Sequence, residues 1–379
     1  MNRIFYAERD TTLYEKFPEQ NTGIDQILEL TKIASGSKLN GAIQANTYNT
    51  RFIIDFGSQI QTLSSSIISG EIPGIATDHE LSASVYLNLK AADASDLLHS
   101  YSVEAFPVSQ SWVNGNGYYS DDPIQRYGAS WYYRDSDDLA TGWDTGSAHS
   151  HKTSAGTTNT QGGGAWITGS LFESSQSFEN ESPDIRINVT DIVQQWITGS
   201  ITNNGFIIKR PYADEISSEV LGSLKFFGRE SHTIFVPKLE VVFKDTTFPD
   251  TSSAEISSDT YVPYIKNIKS EYRVSENSKF RVGVRPEFPN KAFQTSSFYL
   301  TGERLPTSSF YSILDSVTDE TIIPFDNNGT QIDCDINGSF FNLRMDSFMP
   351  ERYYKIMLKI NRGSDDIQIF DDFYFKVVK

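Results

Sequence analysis

The sequence is poor in several things, and each shortage excludes something. It has one cysteine, Cys334, so an intrachain disulfide is excluded. Its neighbourhood, Ile332-Asp333-Cys334-Asp335-Ile336, alternates like a strand and points to a buried structural thiol. Basic residues number 32 against 49 acidic ones, a formal charge of −17. That balance argues against non-specific nucleic-acid binding and against docking on anionic membranes, both of which require a basic surface. No apolar run approaches the roughly 20 residues that cross a bilayer. Met1-Asn2-Arg3-Ile4-Phe5-Tyr6 lacks a hydrophobic signal core, so synthesis in a cytoplasm without standard export is expected. The five histidines show no Ser/His/Asp order tied to a strained turn. Gly162-Gly163-Gly164 is not followed by the Lys-Ser/Thr of a phosphate loop and is expected to permit close backbone approach. Carboxylates are abundant, but no spacing singles out an acid and a nucleophile. The expectation is a protein that is not an enzyme.

What is present is strand signal. Tyr and Phe, at 19 and 25, fit strands and contact surfaces. Arg51–Phe56, Ala83–Leu89, Ser102–Val108, Phe206–Ile208, Ser223–Phe227 and Pro237–Phe243 read as strands, and Ile60–Ile68 as a segment able to form a helix. Asp245–Asp259 is polar with Pro249 and reads as a linker. Beyond it, Ile265–Ser270, Phe280–Arg285, Phe298–Thr301, Phe340–Arg344, Tyr353–Ile360 and Phe370–Val378 form a second set of strands. The expected organisation is a sandwich over 1–244, a linker over 245–260 and a smaller immunoglobulin-like β-domain over 261–379.

One helix stands out. Val189, Ile192, Val193, Trp196 and Ile197 recur at helical spacing. Asn188 or Thr190 can cap its start, Asp191 suits the positive end of the dipole, and Gly199 is placed for a left-handed C-cap. Asn203-Asn204-Gly205 then turns the chain into Phe206-Ile207-Ile208. A short helix nearly alone in a β-chain predicts a plug across the end of a sandwich.

Two groups of residues are site candidates. His149 and His151 form a His-x-His pair, and Asp135, Asp137 and Asp138 lie close by in sequence. These residues suit either a polar Gly/Ser-rich loop or an ion site. No cofactor is expected; an ion site here would be a transition metal on the histidine pair or calcium on the aspartates, which are hard oxygen ligands. The second group is aromatic. Trp131 and Trp166 are flanked like core residues, whereas Tyr118 and Tyr119, between Gly117 and Asp121, with Tyr132 and Tyr133, are the surface candidates for a protein interface or a glycan. Asn114–Ser182 is a long loop-rich stretch and the place where the main interface is expected.

The order of motifs carries a resemblance. Asp10-x-x-Leu13-Tyr14-Glu15 and Asn21-Thr22-Gly23 come first, then Ser111-Trp112-Val113-Asn114-Gly115-Asn116-Gly117, then Gly128-Ala129-Ser130-Trp131. Gly142-Trp143, Gly162-Gly163-Gly164-Ala165-Trp166, the Val189–Trp196 helix and the Asn203–Phe206 turn complete it. This order resembles the DNRLRE-type jelly-roll domains, which are related to carbohydrate-binding modules, over about two thirds of the chain. The whole chain also resembles structural proteins of the virions of large tailed phages, including marine and cyanobacterial ones. Phe280–Phe288, Ile322–Asp326 and Met349–Lys355 carry that second likeness. It implies an all-β protein, a jelly-roll sandwich with one short helix followed by a smaller β-domain. It further implies assembly in a host cytoplasm as a homo-oligomer, at the neck or collar, on the tail or as a capsid decoration, with other virion proteins as partners. A surface glycan is the alternative partner.

Overall fold

The computed structural model describes all residues except 40–41, 76–79, 137–140, 145–150, 153–157, 160–161, 249–252, 289–302 and 363–365. The chain divides into two compact units, Phe5–Glu240 and Val241–Lys379 together with Met1–Ile4. The fold is all-β, as expected, and its strand pairings are mainly antiparallel, with Glu271–Arg273 and Ile367–Val378 paired in parallel.

In the larger unit one sheet orders the strands Ser174–Glu179, Ser100–Pro107, Phe206–Lys209, Ala42–Asp55, Ile27–Leu39, Gly222–Phe227 and Ala91–Ser95, with Arg9–Tyr14 also paired to Ala42–Asp55. The second orders Asn2–Tyr6, Lys238–Val242, Ser84–Leu89 and Ile185–Asn188, its first two strands carrying the chain across the unit boundary. Phe206–Lys209 is central, paired on both sides, and all four of its residues are buried. That position explains its continuous apolar run, since a strand covered on both faces needs no alternation.

The expected helix spans Thr190–Ile197 and buries Ile192, Val193, Trp196 and Ile197. Asn188 Oδ1 accepts from Thr190 N at 3.0 Å, and Gly199 is left-handed at φ 73°. It is not nearly alone, however. Helix Ser58–Ile68 packs against it and buries Ile60, Leu63 and Ile67. A further short helix covers Tyr212–Ile216, so the described residues hold three α-helices. Helix Ser58–Ile68 gains its N-terminal partner from the bend between strands Asn2–Tyr6 and Arg9–Tyr14: Glu8 Oε1 accepts from Ser58 N at 3.1 Å.

The smaller unit is a two-sheet sandwich. Tyr261–Ile265, Asn277–Pro286, Gly338–Arg344 and Asp333–Asp335 form one sheet, and Glu271–Arg273, Ile367–Val378, Arg352–Asn361, Ser309–Asp315 and Thr321–Ile323 the other. Its core is a run of rings, with Tyr311 4.3 Å from Phe341, Phe341 5.2 Å from Phe280, and Phe280 5.9 Å from Phe375. Cys334 is buried on the Asp333–Asp335 strand, as its alternating neighbours suggest. The expected strand at Ile265–Ser270 is displaced to Tyr261–Ile265 and Glu271–Arg273. The one at Phe298–Thr301 lies outside the described residues.

Parts of the expected linker bond within the smaller unit. Asp333 accepts from Thr247 N at 3.1 Å and Phe248 N at 2.8 Å, Ile256 is buried, and Arg304 pairs with Glu255 at 2.9 Å. Thr246 is buried as well, whereas Thr247, Glu255, Ser257 and Asp259 are exposed, which suits their polar character. The larger unit ends at Glu240, and Met1–Ile4 belongs with the smaller one. Ile4 N donates to Ser347 Oγ at 3.2 Å, and Arg3 pairs with Asp346 at 3.3 Å.

Candidate functional site

The loops of the larger unit are organised around one side chain. Asn21 is fully buried. Its Nδ2 donates to the carbonyls of Asn114 at 2.8 Å and Ala129 at 2.7 Å. Its Oδ1 accepts from Gly23 N at 3.1 Å and Gly117 N at 2.9 Å. All four hydrogen-bonding positions of the carboxamide are thus used on three loop segments. The glycines around it are required by space. A Cβ on Gly115 would lie 2.3 Å from Asn21 Oδ1, and one on Gly117 2.4 Å from the Asn21 carbonyl. Gln20 Nε2 extends the clamp to the carbonyls of Tyr118 at 3.2 Å and Tyr119 at 2.7 Å, and Tyr132 N donates to Pro18 O at 2.9 Å.

Beneath the loops lies a tryptophan cluster. Trp112, Trp131, Trp143 and Trp166 are all buried and pack with Leu13, Ile53, Phe106 and Ile207. Trp112 Nε1 donates to Asn204 O at 2.8 Å and Trp143 Nε1 to Ser130 O at 2.9 Å. The triple glycine does what its composition suggests: a Cβ at Gly163 would stand 2.4 Å from Arg51 Nη1, and one at Gly164 2.6 Å from Ile207 Cδ1.

This base is rigid, and it displays tyrosines. Tyr118, Tyr119, Tyr127 and Tyr132 are 42%, 47%, 44% and 38% exposed on the one loop cluster. Tyr133 is half-buried, 6.3 Å from Tyr132 in edge contact. Tyr119 rests on Tyr14 at 4.9 Å and Phe17 at 5.9 Å, and Asp25 accepts from its backbone N–H. Hydrogen bonds thus fix the backbone that carries Tyr118 and Tyr119, and packing holds the Tyr119 ring, so that less conformational freedom is left there for a partner to remove.

A second feature of the same unit is an open groove of about 730 Å³ between helix Ser58–Ile68 and the turn after helix Thr190–Ile197. Arg9, Asp55, Gln61, Ser64, Trp196 and Asn203 are among its lining residues. Arg9 Nε donates to Asp55 at 2.8 Å, and its guanidinium lies 4.4 Å from the Trp112 ring. The lining mixes an indole with amide, hydroxyl and charged groups, suited to hydrogen-bonding ligands. Neither the groove nor the Asn21 hub is visible in sequence, because each joins segments far apart in the chain.

Of the metal candidates, Asp135 ends the short strand Tyr133–Asp135, opposite Thr141. His151 begins the two-residue strand His151–Lys152. Asp137, Asp138 and His149, and the side chain of His151, lie outside the described residues. Among the described residues no group of three or more His, Cys, Asp or Glu side chains is arranged to hold a metal ion.

Neither a protein-family model nor a curated protein matches the chain. Among solved structures it is similar to the adhesin domain of Epf from Streptococcus pyogenes, at 9% identity over 97% of this chain and 91% of that one, with a TM-score of 0.18. It is also similar to trypsin-activated alpha-2-macroglobulin from Escherichia coli, at 8% identity and a TM-score of 0.19. That match covers 75% of this chain and 20% of the macroglobulin. With TM-scores this low, neither likeness bears on function.

Proposed function

We propose that this chain is a non-catalytic structural component of a tailed-phage particle, at the neck or collar or on the tail. In this reading the tyrosine-bearing loops contact neighbouring protein subunits, copies of this chain included. The observation that carries the reading is the clamp on those loops: one buried asparagine fixes three segments, and exposed tyrosines project from them. Tyrosine supplies large contact area with few rotatable bonds and is enriched among residues that dominate interface energies. The order of motifs along Asp10–Phe206, similar to the jelly-roll domains named above, supports the same reading. Repetition of one patch around a symmetry axis would close a ring.

Rings presented beside hydrogen-bonding groups also suit a glycan, and that is the second reading. Copy number separates the two. In gradient-purified particles, quantitative mass spectrometry is expected to find a small, ring-like number of copies relative to the major capsid protein. A number comparable with the capsid protein would make the chain a capsid decoration. Absence from particles would overturn the virion reading and move glycan binding to first place. Replacing Tyr118 and Tyr119 with serine is expected to cut incorporation at least tenfold while the fold persists, since neither ring belongs to the buried core. Unchanged incorporation would remove these loops as the contact.

A further inference from the structure

Lys32 and Asn49 stand directly opposite each other in the antiparallel pair formed by Ile27–Leu39 and Ala42–Asp55. Both are buried, at 0% and 3% exposure. Residues so opposed have Cβ atoms about 4.5–5.5 Å apart. One oxygen bridges their side-chain nitrogens: the Glu215 carbonyl accepts from Lys32 Nζ at 3.2 Å and from Asn49 Nδ2 at 3.3 Å. Asn49 Nδ2 also donates to Glu15 Oε2 at 3.1 Å. These two acceptors fix the amide orientation, because turning it over would set its carbonyl against two oxygens. Asn49 Oδ1 is consequently buried with no hydrogen-bond partner, an unfavourable state for an acceptor. Lys32 Nζ is positioned further by Ser217 O at 2.6 Å and Ser217 Oγ at 2.9 Å. Burial pushes its pKa down, towards the neutral amine that acts as a nucleophile.

We propose that Lys32 and Asn49 react to form an intramolecular isopeptide bond with loss of ammonia. After the ammonium gives one proton to solvent, the Nζ lone pair attacks Cγ of Asn49, and the carbonyl π pair moves onto Oδ1. A proton of the bound amine passes to the Glu15 carboxylate. As the C=O re-forms, Nδ2 departs with its bonding pair and takes that proton, leaving as ammonia. Amine and carboxamide become secondary amide and ammonia, Glu15 returns to its starting state, and no oxidant or other co-reactant is consumed. Directly opposed strand positions and a shared acceptor place both groups in one buried site, the kind of arrangement from which proximity assists an amide exchange. Glu15 provides the proton relay, and its place on the departing nitrogen suits that role. The product would lock the register of the two strands.

Mass spectrometry of the full chain tests this. The intact mass is expected to fall below the sequence mass by one ammonia, and a tryptic digest to contain Phe17–Lys38 joined to Leu39–Arg51. The joined peptides are decisive, since succinimide formation at an Asn-Gly pair such as Asn337-Gly338 gives the same deficit without a link. Asn49→Ala is expected to abolish the joined pair. Glu15→Gln keeps both reacting groups and is expected to slow linkage at least tenfold. Tryptic cleavage after Lys32 in the aged wild-type protein, with Asn49 intact, would overturn the proposal. Linkage at the wild-type rate in Glu15→Gln would overturn the role given to Glu15.

Discussion

The larger unit buries a cluster of ions beside its tryptophans, whereas the smaller one centres on a series of packed rings. In Phe5–Glu240, Arg51 and Glu215 form a bidentate pair whose side chains are each 1% exposed, with Nε and Nη2 both at 2.8 Å from the carboxylate oxygens. Arg51 Nη1 also donates to Gly163 O at 2.6 Å, and the guanidinium lies 5.0 Å from both the Trp131 and Trp166 rings. Lys209 joins at 3.6 Å from Glu215 and 3.0 Å from Glu104. In Val241–Lys379 the centre is instead the Tyr311, Phe341, Phe280 and Phe375 contact series, and Arg281–Asp335 sits towards the rim. A ring core tolerates the loss of one contact by degrees. An ion cluster stands only while every member keeps its partner, because a buried charge left alone has neither water nor counter-ion.

The sharpest way to break this comparison is Glu215→Ala. It strips the carboxylate from two buried cations at once, and a loss of about 3–5 kcal/mol is expected. All five tryptophans lie in the larger unit, so their fluorescence reports its unfolding alone. Urea titration by this signal should show the midpoint falling sharply in the variant. A midpoint near that of the wild type would mean that the cluster contributes little and that the two interiors are energetically alike.

Asp10 offers a test that depends on pH. It is 1% exposed and accepts from Arg229 N at 2.7 Å. Burial pushes its pKa up from 3.8 to about 7, with the nearby Glu230 charge adding to the shift. The folded state therefore holds this proton more tightly than the unfolded chain does. The group weakens the fold progressively as pH rises from about 4 to about 7, and by a constant amount above that. Asp10→Asn keeps an acceptor for Arg229 N without the charge. It is expected to gain on the order of 2–4 kcal/mol at pH 8 and almost nothing at pH 4. Tryptophan-monitored unfolding of both proteins across this range checks it. A difference that does not vary with pH would exclude titration of Asp10 as the cause.

Which parts of this were legible in sequence follows from how local their causes are. Helix Thr190–Ile197 was legible because its period, its Asn188 cap and its Gly199 stop all lie within a dozen residues. Phe206–Lys209 was legible as an uninterrupted apolar run. Ile27–Leu39 was not, because Ala34-Ser35-Gly36-Ser37 breaks the alternation that marks a strand. Ser309–Asp315 was missed for another reason. It buries Ser309 and Ser312 beside its apolar residues, and Ser312 Oγ satisfies itself on Ile323 O at 2.7 Å, a partner no periodicity reveals. Tyr118 and Tyr119 were legible as surface residues from their Gly and Asp neighbours. The Asn21 clamp was not, since its acceptors lie 93 and 108 positions away. Asn21-Thr22-Gly23 reads locally as nothing more than a turn.

The smallest effect is expected at the rim of the smaller unit, and it bounds the comparison from the other side. Asp335 accepts from Arg281 Nη2 at 2.8 Å and from Lys279 Nζ at 3.2 Å. The Arg281 guanidinium beside it holds its carboxyl well below the usual carboxylate range. Its folded pKa is depressed, so the stability it contributes is fully present above the ordinary carboxylate pKa and is lost as pH falls from there towards the depressed folded value. Both side chains are 22–23% exposed, and solvent screens the pair. Asp335→Asn is therefore expected to cost about 1 kcal/mol or less at pH 7, and nothing at low pH. Tryptophan fluorescence should not register it. Faster amide exchange in Asn277–Pro286 and Gly338–Arg344, the strands that carry and flank Arg281, should. A loss at this rim pair as large as that for Glu215→Ala would mean that the partners of an ion, rather than its burial, decide what its removal costs.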